Sequence, residues 1–280
     1  MTNQRVILVT GGTSGIGKEI VKKLAPSGAT IVFTARSVES GEGIKKEIAQ
    51  EVRNNAVEYI VCDLSSLASV RACAEEFKKS HQRLDVLINN AGVLPQERRE
   101  SEDGIELNFA VNFLAPFLLT NLLLPILRSS APSRIVNVSS SMHKEGRINF
   151  ADLESKKSFD KYAAYAQSKL ALLLFTKKLA KDLDGSGVTV NALNPGIVGT
   201  EMTMQNVRKM NPMLAFFYKR TLLTPEQGAD ASAYLATSPE VASVSGEYFE
   251  RTKIAPASSL ASDTAVADKL WNVATNIVGL

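Results

Sequence analysis

The sequence predicts one α/β domain of the Rossmann type, in which a doubly wound parallel sheet carries helices on both faces. Short apolar runs rich in β-branched residues alternate with longer amphipathic stretches along the whole chain. Runs such as VILVT and VLINN are apolar throughout, which suits strands that are covered on both sides. No Pro/Gly-rich linker interrupts the 280 residues, so we expect a single domain over 1–280.

The alternation predicts each element in order. The predicted strands cover 5–10, 30–34, 57–62, 85–89, 134–139 and 188–194, and the predicted helices between them cover 17–24, 38–52, 67–80, 102–127 and 159–183. A helix at 224–238, a strand at 246–250 and a C-terminal helix at 261–278 follow. Because ligands of such sheets bind beyond the carboxyl ends of the strands, we expect the functional residues in the loops after the strands.

Composition and charge exclude several classes of protein. The net charge is only +3 and the basic residues are interleaved with acidic ones, which argues against nucleic-acid binding. Cys62 and Cys73 lack the spacing of a metal site or a disulfide framework, so we expect two buried thiols and no metal. No apolar run approaches the length of a membrane span, and no apolar signal region precedes the first strand. We therefore expect a cytoplasmic protein.

A glycine-rich loop follows the first predicted strand. Gly11, Gly15 and Gly17 permit a tight turn there and let backbone N–H groups approach a phosphate at the N-terminus of the next helix. The spacing differs from the ordinary G-x-G-x-x-G, and the G-K-[ST] ending of a P-loop is absent because Glu19 follows Lys18. The loop predicts a nucleotide-binding site.

Tyr165 and Lys169 are the strongest candidates for acid/base chemistry. They stand four residues apart in a predicted helix, so both side chains project from one face into one pocket. A free tyrosine has a pKa of about 10, and a lysine ammonium nearby favours the phenolate and lowers that pKa. The competing Tyr162 is followed four residues later by Ala166 instead of a lysine. The alternative for the pair is a surface tyrosine beside a solvated lysine.

Further motifs occur in a fixed order over roughly residues 5–250. Asn89-Asn90-Ala91-Gly92 ends the fourth strand, Asn112 lies in a V-N-F-L-A segment, Ser139-Ser140 closes the fifth strand, and Asn194-Pro195-Gly196 ends the sixth. Together with the glycine spacing and the Y-x-x-x-K pair, this order resembles the classical short-chain dehydrogenase/reductase family. The segment 143–171 is similar to its retinol-dehydrogenase-like branch. The resemblance implies an oxidoreductase that interconverts an apolar, retinoid-like or other, alcohol and carbonyl compound by hydride transfer.

The same resemblance assigns roles to individual residues. It implies that Tyr165 is the acid/base, that Lys169 supports it, that Ser140 hydrogen-bonds the substrate oxygen, and that Asn112 holds a water in a proton relay. Ser139 and Ser141 are neighbours of Ser140 that cap the strand. Cofactor contacts are implied for Gly11, Thr13, Ser14, Gly15, Ile16, Gly17, Arg36, Asp63, Leu64, Asn90, Ala91, Gly92, Tyr165, Lys169, Pro195, Gly196, Val198 and Thr200.

The end of the second strand predicts NADP(H) as the cofactor. No Asp or Glu occurs from Thr30 to Val38, so the acidic residue that holds the ribose of NAD and repels a 2′-phosphate is missing. Arg36 instead offers a planar donor fork for that phosphate, and Ser37 adds a hydroxyl. Alternatively, Arg36 stacks on the adenine and leaves the enzyme able to use both cofactors.

Residues near 200–223 are rich in methionine and aromatic side chains with basic flanks. In the family this stretch is a lid over the substrate pocket. Ordinary core packing and a peripheral contact with a membrane surface are the other interpretations. Members of the family are commonly homo-oligomers, which we expect here by analogy only.

Two other functions compete with catalysis. A non-catalytic protein that senses NADP(H) would not need the complete Tyr165, Lys169, Ser140 and Asn112 set. An extended sugar epimerase would need a third glycine where Lys18 stands and a sizeable C-terminal domain. Of the two histidines, His81 is expected to be solvated, and His143 is a candidate for the wall of the substrate pocket.

Overall fold

A computed structural model describes residues 4–52 and 56–280 of the predicted domain. Within these residues the strands are β1 (Val6–Val9), β2 (Thr30–Ala35), β3 (Val57–Val61), β4 (Val86–Asn89), β5 (Ser133–Val138), β6 (Val188–Asn194), β7 (Tyr248–Glu250) and β8 (Lys253–Ile254). They form one sheet in the order β3-β2-β1-β4-β5-β6-β7-β8. The order reverses between β1 and β4, which is where a doubly wound sheet opens a crevice for ligands.

Helices connect the parallel strands. They are α1 (Gly15–Leu24), α2 (Val38–Val52), α3 (Leu67–Ser80), α4 (Leu107–Phe109), α5 (Ala115–Ser129), α6 (Lys161–Asp182), α7 (Glu201–Val207), α8 (Pro212–Thr221), α9 (Pro225–Thr237) and α10 (Thr264–Val278). A π-helical turn, Ala110–Leu114, joins α4 to α5. The predicted fold class and alternation of elements are confirmed.

Three local features differ from the prediction. Strand β8 pairs antiparallel with β7, and at two residues it is too short to leave a pattern in the sequence. The helix predicted at 102–127 begins only at Leu107, because Gly104 adopts a left-handed turn and the Glu106 carboxylate caps the helix. The last helix begins at Thr264, where the Asp263 side chain accepts a hydrogen bond from the Val266 N–H.

The two faces of the sheet bury separate cores. Along β1, Val6 and Leu8 point into one core, whereas Ile7 and Val9 point into the other, as the alternation of a strand requires. Helices α3, α5, α6 and α10 cover the first core, and α1, α2 and α9 cover the second. Phe117 lies in the middle of the first core, with its ring centroid 5.2 Å from that of Phe175 and 5.0 Å from that of Trp271.

The helical stretch Leu107–Ser129 corrects one expectation. With 23 residues and a mean hydropathy of 1.9, it is long and apolar enough to cross a membrane by length and composition. Its apolar window is 72% buried inside the protein, because α5 packs between α3 and α6. The core therefore accounts for its apolar character, and the stretch is only a weak indication of a membrane span.

A buried polar network ties the carboxyl ends of β4 and β5 to two helices. The Asn89 Nδ2 donates to Asn137 Oδ1 at 2.8 Å and to Thr120 Oγ1 at 3.1 Å. Asn137 in turn donates from its Nδ2 to Thr176 Oγ1 at 2.8 Å. All four side chains are fully buried, so each hydrogen bond replaces water that these groups have lost.

Replacing Asn137 with leucine, which has a similar shape, should destabilise the protein. The change leaves Asn89 without its Asn137 acceptor, and we expect the free energy of unfolding to fall by about 1–3 kcal/mol. Urea denaturation measures it, and the slope of the transition should not change. The exposed Asn276→Leu is the matched control, expected to stay within about 0.5 kcal/mol of the wild type. Equal transition midpoints for the two variants would contradict the structural role of the network.

Candidate active site

The loops that leave the carboxyl ends of β1, β2, β3, β4, β5 and β6 carry the residues that the sequence singles out. Because neighbouring strands are parallel, these ends lie along one edge of the sheet. The parallel order therefore brings residues far apart in sequence to one edge.

The glycine loop brings backbone N–H groups to that edge. Gly11 and Gly15 have φ of +69° and +53°, a conformation that side chains rarely adopt. A Cβ at Gly17 would lie 2.1 Å from the Gly11 carbonyl oxygen, so only glycine allows this approach. The Lys18 N–H is the first to bond inside the helix, to Ser14 O, and among the described residues no side chain caps the N-terminus of α1. The N–H groups before Lys18 therefore point past the helix end and fit a phosphate.

Two threonines that the sequence analysis did not assign hold this loop in place. Thr10 Oγ1 accepts from the N–H groups of Asn90 (2.9 Å) and Ala91 (3.1 Å), and Asn90 Nδ2 donates back to Thr10 O at 2.9 Å. Thr34 Oγ1 accepts from the Gly11 N–H at 2.9 Å. The available signal in the sequence was a threonine close to the carboxyl end of each of two largely apolar strands.

The neighbouring strands β2 and β3 place Arg36 and Asp63 at the same edge. Ala35 pairs with Val61, so the residues that follow these strands are neighbours. Arg36 is exposed, and within the described residues its guanidinium makes no ion pair. Asp63 Oδ1 accepts from both the backbone N–H and the hydroxyl of Ser65, at 2.9 and 2.8 Å, while Leu64 is buried beside it. The glycine cradle and the uncapped helix N-terminus together fit the phosphates of a dinucleotide.

Tyr165 and Ser140 meet where α6 crosses the end of β5. The Ser140 hydroxyl lies close enough to lower the pKa of the Tyr165 phenol, but burial has the larger effect and raises that pKa to about 12. Ser140 also caps a short 3₁₀ turn, Ser141–Glu145, by accepting from the Met142 N–H at 3.2 Å. Tyr162, the competing tyrosine, is 44% exposed.

Lys169 lies one turn beyond Tyr165 and is buried. Its Nζ donates to Val138 O at 2.9 Å and lies 5.6 Å from the centre of the Tyr165 ring, and burial lowers its pKa to about 8. The lowered pKa that the sequence analysis expects for Tyr165 is not found in the protein alone, where burial raises it. Tyr165 is therefore a protonated phenol at neutral pH, which is the form that can donate a proton.

Asn112 lies in the π-helical turn and is fully buried. Its Nδ2 donates to Val93 O and to Ser168 Oγ, both at 3.0 Å, and its Oδ1 accepts from the Val93 N–H at 2.8 Å. The side chain thus joins the loop after β4 to α6. A Cβ at Gly92 would lie 3.3 Å from Asn112 Oδ1 and 3.4 Å from Lys169 Nζ, so the three residues are in contact.

Val93 and Ser168 are site residues that the sequence analysis missed, although Ser168 lies inside the Y-x-x-x-K motif. The role of Asn112 in a water relay stays a prediction.

The loop after β6 packs beside the glycine loop. Gly196 follows Pro195 with φ of +91°, and Val198 forms an isolated parallel bridge with Leu223. Thr200, at the start of α7, places its Cγ2 3.3 Å from where a Gly15 Cβ would be.

The start of α1 also packs closely against α9 and the loop after β6. Ile16 and Val198 both lie within 3.2 Å of the position that a Cβ on Gly228 would occupy. Thr13 is partly buried in the same region and Ser14 is exposed.

The segment between Val198 and Leu223, which we call the lid, consists of α7 and α8. Core packing is the wrong interpretation for most of α8, because Met213, Leu214, Phe216 and Phe217 are 68, 60, 54 and 57% exposed. Polar contacts fasten α7 to α6. Lys161 Nζ donates to Gln96 Oε1 and to Asn206 Oδ1, both at 2.9 Å.

Both histidines differ from expectation. The His81 side chain is mostly buried, stacks on Phe77 with ring centroids 4.8 Å apart, and lies 3.4 Å from a Glu58 carboxylate oxygen. His143 is fully buried instead of lining a pocket. Cys62 and Cys73 are free and buried, as predicted.

Comparison with known proteins identifies relatives of the whole chain. A family model described as short chain dehydrogenase matches residues 5–211. The chain is 43% identical to retinol dehydrogenase 13 of Mus musculus, an alignment that covers 99% of this chain and 84% of the relative. It is also 43% identical to retinol dehydrogenase 14 of Homo sapiens, covering 99% and 87% of the two chains.

Solved structures share the same fold. A protein from Mycobacterium Paratuberculosis superposes with a TM-score of 0.80 at 31% identity, covering 99% of this chain and 94% of that one. The Pseudomonas aeruginosa RhlG/NADP active-site complex gives 0.72 at 29% identity, covering 88% and 94%. Actinorhodin polyketide ketoreductase with NADPH gives 0.71 at 28% identity, covering 89% and 96%. The chain belongs to the short-chain dehydrogenase/reductase family, in its retinol-dehydrogenase-like branch, and is an oxidoreductase acting on alcohol or carbonyl groups.

Proposed function

We propose that this protein is an NADP(H)-dependent oxidoreductase that interconverts an apolar alcohol with its aldehyde or ketone, and that Tyr165 is its acid/base. The observation that carries the proposal is the meeting of the Tyr165 and Ser140 hydroxyls beside the buried ammonium of Lys169. The nicotinamide cofactor supplies or accepts the hydride when it is bound. The complete set of hydroxyl and ammonium groups argues against a protein that only senses NADP(H).

The residues divide the proton chemistry between them. In the direction of reduction, Tyr165 donates its proton to the carbonyl oxygen as negative charge develops there. Ser140 donates a hydrogen bond to the same oxygen and stabilises that charge. Lys169 stabilises the phenolate that is left. Because the pKa of Tyr165 is raised to about 12, the tyrosine is already protonated before reduction. In the reverse direction the phenolate must form first.

Tyr165→Phe should abolish turnover while cofactor binding survives. The substitution removes the proton donor and keeps the ring, so we expect kcat to fall by at least ~10²-fold with little change in the Kd for NADPH. NADPH consumption with a panel of aldehydes, ketones, quinones and retinoids measures activity, and NADPH fluorescence measures binding. Tyr162→Phe, at an exposed tyrosine of the same helix, is the control and should keep near-normal turnover. Near-normal turnover in Tyr165→Phe would refute the assignment.

The preference for NADP(H) rests on Arg36. The side chain is exposed beyond the end of β2, where the dinucleotide ribose of such folds lies. A guanidinium there can donate two hydrogen bonds to a 2′-phosphate. The exposed Ser37 hydroxyl, next to Arg36, lies 3.1 Å from that of Ser40. The related structures named with NADP and NADPH support the same choice of cofactor.

Arg36→Asp should invert the cofactor preference. A hydrogen bond to a charged group contributes ~1.5–3 kcal/mol, so Arg36 supplies about 10- to 150-fold in favour of NADPH. The ratio of kcat/KM for NADPH and NADH measures the preference, and the change should lie mainly in the KM for NADPH. Arg128→Asp makes the same change of charge at the exposed end of α5 and should leave the ratio unaltered. Equal kcat/KM values for NADH and NADPH in the unmutated enzyme would refute the proposed preference.

We further propose that α8 of the lid contacts an anionic membrane surface. Its exposed Met213, Leu214, Phe216 and Phe217 cover much of a short helix. From residue 202 to residue 225 the chain has no Asp or Glu, whereas Lys219 and Arg220 follow the apolar residues directly. Apolar side chains flanked by basic ones are the composition that binds at the interface of an anionic bilayer.

Cosedimentation with vesicles tests this surface. The protein should bind vesicles of phosphatidylcholine with phosphatidylserine better than vesicles of phosphatidylcholine alone, and salt should weaken binding. We expect Phe216→Ser with Phe217→Ser, and separately Lys219→Glu with Arg220→Glu, each to weaken binding at least about tenfold. Val38→Ser with Ile254→Ser is the control, because these apolar residues are as exposed but lie elsewhere. Equal binding by all variants, or none by the wild type, would contradict the proposal.

A further inference from the structure

His143 links the catalytic serine to a distant part of the chain. It lies in the 3₁₀ turn directly after Ser140 and is fully buried. Its Nδ1 is 2.7 Å from Ser140 O, and its Nε2 is 3.2 Å from the backbone N of Ser258. The edge of its ring contacts Tyr248, with centroids 4.7 Å apart. Both ring nitrogens are therefore bonded to backbone groups.

These two partners define the state of the imidazole. The Ser140 carbonyl can only accept a hydrogen bond, so Nδ1 carries the hydrogen. The Ser258 N–H can only donate, so Nε2 must be unprotonated. The neutral Nδ1–H form is the one that satisfies both contacts, and burial, which lowers the pKa of His143, favours the same neutral state. In a ring protonated at both nitrogens, the Nε2–H donor would face the Ser258 N–H, which is also a donor.

The contact with Ser140 bears on the orientation of the catalytic hydroxyl. The Ser140 carbonyl oxygen accepts two hydrogen bonds from one residue, from His143 Nδ1 at 2.7 Å and from the His143 N–H at 3.1 Å. These bonds hold the peptide plane that follows Ser140. The Ser140 hydroxyl, which meets Tyr165, extends from the same residue. A rotation of that peptide would move the hydroxyl relative to Tyr165.

The two hydrogen bonds of the His143 ring, which we call the His143 bridge, join Ser140 to Ser258 in the C-terminal part of the chain. Ser258 follows β8 and precedes a 3₁₀ turn, Ser259–Ser262, which packs against α6. It also lies beyond residues 5–211, the part that the family model matches. We infer that His143 is a positioning residue through which the segment 255–262 holds Ser140 in register with Tyr165. This inference rests on the proposed role of Ser140 and Tyr165.

Variants of His143 separate positioning from simple stability. His143→Leu removes both contacts, whereas His143→Asn retains a donor close to the place of Nδ1. We expect His143→Leu to lower kcat at least about tenfold, with the Kd for NADPH within about twofold of the wild type, and His143→Asn to recover most of the loss. In a Ser140→Ala background, His143→Leu should change kcat by less than about twofold, since no hydroxyl is left to position. An equal loss in both backgrounds would overturn the proposal.

Ser258 offers a second variant that leaves the histidine in place. Its φ of −62° suits proline, so Ser258→Pro deletes the N–H that bonds to Nε2 without strain at that angle. We expect kcat to fall about 2- to 12-fold, the value of one hydrogen bond. Ser258→Ala keeps the N–H and loses only a buried hydroxyl that has no partner within the described residues, so it should match the wild type. Equal activity of the proline and alanine variants would contradict the bridge.

The state of the imidazole is measurable without turnover. The chain contains only two histidines, so ¹⁵N-imidazole signals can be assigned with His143→Asn. The signals of His143 should be those of a ring protonated at Nδ1 and not at Nε2 near pH 7, and Ser258→Pro should shift the Nε2 signal. A ring protonated at Nε2 would overturn the bridge whatever the activity. If Tyr165→Phe and Ser140→Ala lose no activity, the proposed function is refuted. The ¹⁵N signals would still decide separately whether His143 makes its two hydrogen bonds.

Discussion

The hydrogen bond from Lys169 Nζ to the Val138 carbonyl is the interaction on which the active site depends. A buried ammonium is costly, and it is tolerated here because a strand-end carbonyl accepts its hydrogen bond. The bond joins α6 to β5, and the Ser139 hydroxyl reinforces the joint by donating to Lys169 O at 3.2 Å. Tyr165, one turn earlier on the same helix, is thereby placed beside Ser140 at the end of that strand.

The burial of the Lys169 ammonium also explains which residues surround it. A Cβ at Gly92 would make a tight contact with Asn112 Oδ1, at 3.3 Å, and would touch Lys169 Nζ, at 3.4 Å, so the glycine leaves room for both groups. Asn112 satisfies the Val93 backbone and Ser168 with one amide, so the loop after β4 cannot move independently of α6. On the opposite side of the crevice, Thr10 holds the same loop to the end of β1. The proposed site of proton transfer and the glycine loop therefore share one support, which suits a reaction that needs two bound molecules in fixed register.

The substrate side of the molecule is built differently. The lid leaves large apolar side chains of α8 in solvent, and polar contacts without a carboxylate fasten α7 to Lys161 and Gln96. Such contacts are weaker than apolar packing in a core, so this side is more easily rearranged than the cofactor side. The C-terminal segment reaches the site from a third direction, through Ser258 and His143. A firm glycine loop with an adaptable cover is consistent with the proposed enzyme for apolar substrates.

The sequence by itself determined the α/β class, the order of the elements and the place of Tyr165 and Lys169, because these follow from local patterns. Strand alternation, glycine spacing and a four-residue interval on a helix are visible without knowing any distant contact. It did not reveal Thr10, Thr34, Val93 or Ser168, whose roles arise when separate strands and helices meet. It misjudged His143 and the pKa of Tyr165 for the same reason, since burial and hydrogen-bond partners come from residues remote in the chain. Only the tertiary structure decided which groups of the site are buried and which lid side chains face solvent.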